Sequence, residues 1–133
     1  MFTFDPATRS IAHVDYGYGK VAPTPRNSHT LSQADGARFA YLFGGADNDN
    51  GSKRDLYKLD LETLDFNVIK LEVPADVKFP YLEMHTAHVY QGNKLMIIGG
   101  RGYYLGEPIE STNFHNQIFV IDVAEGSESY GHV

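Results

Sequence analysis

The stretch HTLSQADGARFAYLFGG, His29 to Gly45, returns as HTAHVYQGNKLMIIGG, His85 to Gly100, with the two glycine pairs 55 residues apart. Each copy runs through His-Thr, a turn, an apolar run and Gly-Gly. Self-similarity at a long fixed period marks a repeat architecture, in which a supersecondary unit cannot bury its apolar face alone and must stack on a neighbour.

Working outward, each Gly pair is followed by a polar loop and then by an alternating strand that closes on Asp. These are DLYKLDLETLDF, Asp55 to Phe66, and NQIFVIDV, Asn116 to Val123. A partial third copy opens the chain, where FTFDPATRSI, Phe2 to Ile11, aligns with YKLDLETLDF. Period-two alternation predicts four strands per unit: one after His, one ending at Gly-Gly, one ending at Asp, and a last one such as Phe66 to Leu71. Asp35-Gly36 and Gly92-Asn93 are tight-turn signals between the first two strands, because glycine accepts positive φ without strain. Each unit therefore reads as an antiparallel meander.

Composition agrees with an all-β chain. Nine Tyr, eight Phe and thirteen Gly, with no Trp and no Cys in 133 residues, favour aromatic strands broken by glycine turns. The formal net charge of -6 argues against nucleic acid, whose binding draws on Lys and Arg neutralising phosphates. With no cysteine there is no disulfide, which fits a reducing compartment and a cytoplasmic location. The longest aliphatic run, Leu95 to Ile98, is far short of the roughly twenty residues of a membrane-spanning helix. Met1 to Asp15 has neither the basic start nor the apolar stretch of a signal peptide.

The chain resembles the kelch repeat proteins. The residues that carry the resemblance are Gly44-Gly45 and Gly99-Gly100 after an apolar strand, Arg26 three residues before His29, Tyr57, and the closing Asp60 and Asp122. Phe66 and Ile11 stand where the family has Trp in its fourth strand. The resemblance covers residues 1–124 and implies a β-propeller of four-stranded antiparallel blades. On that reading residues 1–16 are the last two strands of one blade, 26–72 a complete blade, 80–124 three strands of another, and 125–133 a polar tail. A propeller needs about four to eight blades, so the chain reads as a fragment whose open blade edges invite self-association.

In such a meander the loops from second to third strands emerge on the same face as those joining one blade to the next. They are Ala46 to Arg54, Arg101 to Asn116, Gly17 to Arg26, and Glu72 to Met84. The sixteen residues from Arg101 to Asn116 exceed the length, about 12 to 15 residues, beyond which a structureless connection is usually functional or disordered. Arg101, Tyr103, Tyr104 and His115 give it the Tyr-plus-Arg composition of binding hot spots, with Phe114 expected to tuck against the blade edge. Arg54, beside Lys53, and Tyr81 are expected to join that surface. Arg26 resembles the arginines with which some kelch proteins hold acidic peptides, although Leu82 interrupts the pattern in the next unit.

The expected role is a scaffold that binds a protein partner, with no catalytic residues, cofactor, metal, nucleic acid or membrane. The six histidines are scattered, and His85 and His88 have the odd spacing that points strand side chains to opposite faces. His29 and His85 recur with the repeat, which argues for a structural role. Asp47 to Gly51 lacks calcium-loop register, since Lys58 occupies the twelfth position. The glycines of Gly99 to Gly106 miss the dinucleotide spacing, and no Ser lies in a G-x-S-x-G setting. The Asn50-Gly51-Ser52 sequon matters only in a secreted protein. Some kelch-like propellers are oxidases or sugar isomerases, so the alternative is part of such an enzyme with most of its site outside this chain.

Overall fold

The chain opens with a hairpin, β1 (Phe2–Asp5) against β2 (Ser10–His13), in which Phe4 faces Ile11. The computed structural model describes residues 1–133 and contains no α-helix. A four-stranded sheet follows, built from β3 (Thr30–Gln33) and β4 (Phe39–Phe43) and, beyond the small hairpin β5 (Ala46–Asp47) and β6 (Gly51–Ser52), from β7 (Leu56–Asp60) and β8 (Phe66–Ile69). Its strand order is sequential, β3-β4-β7-β8, and every pairing is antiparallel.

Then come β9 (Tyr81–Glu83), β10 (Thr86–Tyr90), β11 (Lys94–Ile98), β12 (Arg101–Tyr103), a 3-10 turn at Ile109–Ser111, β13 (Asn113–Phe114) and β14 (Ile118–Asp122). They make two three-stranded antiparallel sheets, β10-β11-β14 and β13-β12-β9. No helix is long and apolar enough to cross a membrane. The predicted strands appear at the expected places, with the last strand of the four-stranded sheet ending at Ile69 rather than Leu71.

Period-two alternation sends Tyr41 and Phe43 of β4 to one side of the sheet and Ala40 and Leu42 to the other. The first side makes the main core, where Tyr41, Phe43, Leu56 and Ile69 meet Leu95, Ile97 and Ile121 of the β10-β11-β14 sheet and Val123 just after it. Burying each large side chain of this set stabilises the fold by about 1.5–3 kcal/mol. The second side is thinner: Ala40, Leu42, Leu59 and Phe66, with Tyr16 laid against Phe66 and donating its hydroxyl to the Leu64 carbonyl at 2.7 Å.

The two repeats also touch at their glycine ends. Gly44 has φ 60°, and a Cβ there would come within 2.5 Å of the Leu82 carbonyl oxygen of the second repeat; within that repeat, a Cβ at Gly100, φ 99°, would come within 2.8 Å of the Glu83 oxygen. Only glycine allows both the turn and the approach. Here Gly45 N–H donates to Leu82 O at 2.9 Å, and Met84 N–H to Ser28 O at 3.0 Å. Ser28 and Met84, the residues before each His-Thr, share φ 55°.

His85 is buried at this seam, its Nε2 at 2.8 Å from Thr30 Oγ1 and its ring edge-on to Phe43. Burial lowers its pKa to about 4. His29, at the same repeat position, is exposed.

The closing aspartates are structural. Asp60 accepts Arg38 Nε at 3.0 Å and the Glu62 N–H at 2.9 Å, and the Arg38 hydrogen bonds bring its pKa down to about 2. Asp122 repeats the design with Lys94 Nζ at 2.6 Å and the Ala124 N–H at 2.8 Å. Each carboxylate thus fastens the turn after its strand to a cation at the start of the preceding one.

The tail 125–133, read from sequence as an unassigned polar segment, turns back on the body. Gly131 N–H donates to Asp122 O at 2.8 Å, Val133 N–H to Glu72 O at 3.1 Å, and Tyr130 and Val133 pack on the main core.

Candidate functional site

The segment Arg101 to Asn116 is not a structureless loop. β12 sits between β9 and β13, with Tyr103 opposite Tyr81 and Arg101 opposite Glu83 and Phe114. Pairing at Tyr103 brings two rings of one face together, and Tyr81 and Tyr103 stack with centroids 5.0 Å apart and planes at 15°. Arg54 lies on the Tyr81 ring at 5.0 Å and donates Nη1–H to the Phe79 carbonyl at 3.0 Å. A guanidinium over an aromatic face gains electrostatic attraction from the ring quadrupole. Arg54, Tyr81 and Tyr103 therefore form a single stacked wall.

That wall lines a cleft of about 620 Å³, completed by Asn50, Leu105 and Glu107 among others. Of the two cations lining it, Lys53 is paired with Asp47 at 2.6 Å, which lowers the Asp47 pKa to about 2. Arg54 is bonded to a carbonyl and stacked on a ring, so its charge is not neutralised by a carboxylate. Burial raises the Tyr103 pKa, and its hydroxyl donates to Ser52 O at 3.4 Å.

Tyr104 and His115 form a second cluster. Their rings meet edge-on at 5.2 Å, with the Tyr104 hydroxyl 3.4 Å from His115 Nδ1. His115 Nε2 lies 3.1 Å from the Gly102 carbonyl, so the tautomer these partners favour carries its proton on Nε2. They line a cleft of about 350 Å³ with Phe114 and Asn116, adjoining the stacked cleft through Tyr103 and Glu107.

Two expectations are revised, at Arg26 and Phe114. Arg26 does not present its charge to a ligand: its side chain is 3% exposed and clamps Asp55 with two bonds, 2.5 and 2.9 Å, while donating to Gly44 O at 3.0 Å. A buried cation needs such a partner, and the bidentate pair ties the Gly17 to Arg26 loop to the glycine turn. Arg101 lies outside the stacked wall, 3.4 Å from Glu83 and with its side chain 44% exposed. Phe114 does not tuck in; it is 79% exposed at the edge of β13.

Sequence reading missed an apolar trough beside Arg54. Leu71, Val73, Val77, Phe79 and Leu105 line it, with a volume of about 480 Å³, and it shares Arg54, Leu105 and Glu107 with the stacked cleft. The signal was the run of apolar residues at even spacing that continues from Leu71, at the end of the fourth strand, through Val73, Val77 and Phe79 in a connection read only as a loop.

No family model matches the chain. Among curated proteins it is similar to human multiple epidermal growth factor-like domains protein 8, with 31% identity over 110 residues. The match takes in 82% of this chain and 4% of that protein, so the chain spans a small fraction of its relative's length.

Proposed function

We propose that this chain is part of a kelch-type β-propeller acting as a protein-interaction scaffold, and that it meets its partner through the loop face carrying Arg54, Tyr81 and Tyr103. The stacked wall in an open cleft carries this reading. Tyr and Arg supply large amphipathic area at low ordering cost and are enriched where binding energy concentrates. Rings and guanidinium already held in place lose little freedom when a ligand arrives.

The propeller assignment is supported by the sequential antiparallel sheet, by two repeats stacked face to face, and by glycine pairs where their ends converge. The open apolar side of the β10-β11-β14 sheet also fits a scaffold built of further blades. The cytoplasmic placement rests on the absence of cysteine.

A photo-crosslinking amino acid at position 103, compared with one at exposed Val68 on β8, tests the interaction reading in cells. The expected result is a discrete protein adduct at 103 that disappears on Arg54→Ala. Equal or absent labelling at the two positions would overturn it.

A further inference from the structure

The seam between the two repeats is made by a small set of matched groups. Thr30 meets the His85 ring, the Gly45 N–H donates to the Leu82 carbonyl, and the Met84 N–H donates to the Ser28 carbonyl. Phe43 lies edge-on to His85, and Tyr41, Phe43 and Leu56 pack with Leu95, Ile97 and Ile121. The repeat supplies both halves of this joint a second time, on the two outward sides of the molecule, and there they are unpaired.

On the open side of the second repeat, Thr86 stands at the position of Thr30, Gly100 at that of Gly45, Met84 at that of Ser28, and Ile98 and Ile118 at those of Phe43 and Leu56. Thr86, Ile98 and Ile118 are exposed, and neither the Gly100 N–H nor the Met84 carbonyl is hydrogen-bonded. On the outer side of the first repeat, His29 stands at the position of His85, Arg26 at that of Leu82 and Ser28 at that of Met84. His29 is exposed, and neither the Arg26 carbonyl nor the Ser28 N–H is hydrogen-bonded. Leu31 lies opposite Leu42 in the sheet, so both point to this outer side. With His29, Phe66 and Phe2 they line an apolar cavity of about 500 Å³.

We propose that a second copy of this chain docks here, the open side of one copy's second repeat stacking on the outer side of the other copy's first repeat. Thr86 meets His29, the Gly100 N–H donates to the Arg26 carbonyl, and the Ser28 N–H donates to the Met84 carbonyl. Ile98 enters the cavity beside His29, as Phe43 meets His85. The internal seam is the template, so the contact repeats a packing that the chain already makes within itself. Two different surfaces are joined, so copies add head to tail, into a ring if the rotation closes and into a filament if it does not. The β1-β2 hairpin lies beside the receiving cavity but pairs with no other strand, so its displacement breaks no sheet ladder. Association follows mass action, which leaves the face open in dilute chain and covers it in concentrated chain. The contact uses none of Arg54, Tyr81 and Tyr103 and stands apart from the loop-face reading.

The test is sedimentation velocity of the full chain across a wide concentration series, in which the sedimentation coefficient is expected to rise with concentration. Ile118→Asp on one side, or Leu31→Asp on the other, should weaken self-association about tenfold or more, since each buries an unpaired carboxylate in the contact. These residues are 60% and 53% exposed in the single chain, so circular dichroism should show both variants folded. Mixing the two variants decides the geometry. Each keeps one sound side, so together they should form a heterodimer and nothing larger. Where either variant unfolds, Val120→Asp on the open side and His29→Asp on the outer side take their places.

A monomer at every concentration, association unchanged in both variants, or variants that stay monomeric when mixed overturns the proposal. In the last case the two sides do not fit each other, and the open face belongs to a repeat of different sequence.

Discussion

The same face of the repeat occurs twice in this molecule, once covered and once open. On the four-stranded sheet Tyr41, Phe43 and Leu56 are 6%, 0% and 0% exposed; on the corresponding face of the β10-β11-β14 sheet, Ile98, Ile118 and Val120 are 36%, 60% and 43% exposed, beside half-buried Met96. Both sheets alternate, and both carry apolar residues on this face. What differs is the neighbour: the first face has a second sheet upon it and the other has none. The histidine joint repeats the contrast, since Thr30 bonds His85 whereas Thr86, its counterpart, is exposed and without one. Alternation thus specifies that a face is built for burial, and stacking determines whether burial occurs.

The contrast is most open to attack at Phe43, which is fully enclosed where its counterpart Ile98 is not. Phe43→Ala should destabilise the chain by about 3–5 kcal/mol, whereas Ile98→Ala should cost under about 1 kcal/mol. Urea unfolding of the two variants measures both, and similar losses would mean that the open face is covered in solution.

Acid sharpens the contrast at the joint. The His85 pKa, about 4 in the fold, lies below the ordinary 6.5. The unfolded chain therefore binds the proton more readily, and stability is full above pH 6.5, declines between 6.5 and 4, and levels off below. The loss should reach up to about 3 kcal/mol, at about 1.4 kcal/mol per pH unit of displacement. Melts of His85→Gln should lack this slope. The loss tied to Asp60 and Asp47, whose pKa values are lowered to about 2, comes only as pH falls below 3.8.

Glycine gives a smaller test. Gly44→Ala places a Cβ against the Leu82 carbonyl at positive φ and should cost more than about 2 kcal/mol. Gly36→Ala, at φ 65° but with nothing within 4 Å, should cost only about 1 kcal/mol. Equal thermal shifts would show that conformation, and not the approach of the second repeat, sets the requirement.

The smallest effect belongs to the open face itself. Thr86→Val and Ile118→Thr should each change stability by no more than about 0.5 kcal/mol, and Thr30→Val, which removes the partner of His85, should exceed both. A large loss at Ile118 would reveal a covering sheet.

Much of the local structure was legible. The strands announced themselves through alternation, the turns through Asp35-Gly36 and Gly92-Asn93, and the strand ends through Gly-Gly and Asp, because each of these is decided within a few residues. Part of the candidate site was legible as well: Arg54, Tyr81 and Tyr103 were expected on one surface, where β9-β12 pairing stacks the two rings and Arg54 lies on Tyr81. Arg26 was misread because nothing near it in sequence announces Asp55, and a cation's exposure depends on whether a carboxylate arrives from elsewhere. Phe114 was misread for a related reason, since an aromatic side chain tucks in only where a neighbouring surface receives it.

By itself, then, the amino-acid order determined the period, the strand faces and the glycine turns, which are set by backbone sterics and side-chain alternation over short range. Only the tertiary structure decided which apolar face lies in the core, which arginine is enclosed, and that an aliphatic trough adjoins the tyrosine wall. Those outcomes join residues tens of positions apart, such as Arg26 with Asp55 and Leu71 with Leu105, and they exist only once one sheet has come to rest on another.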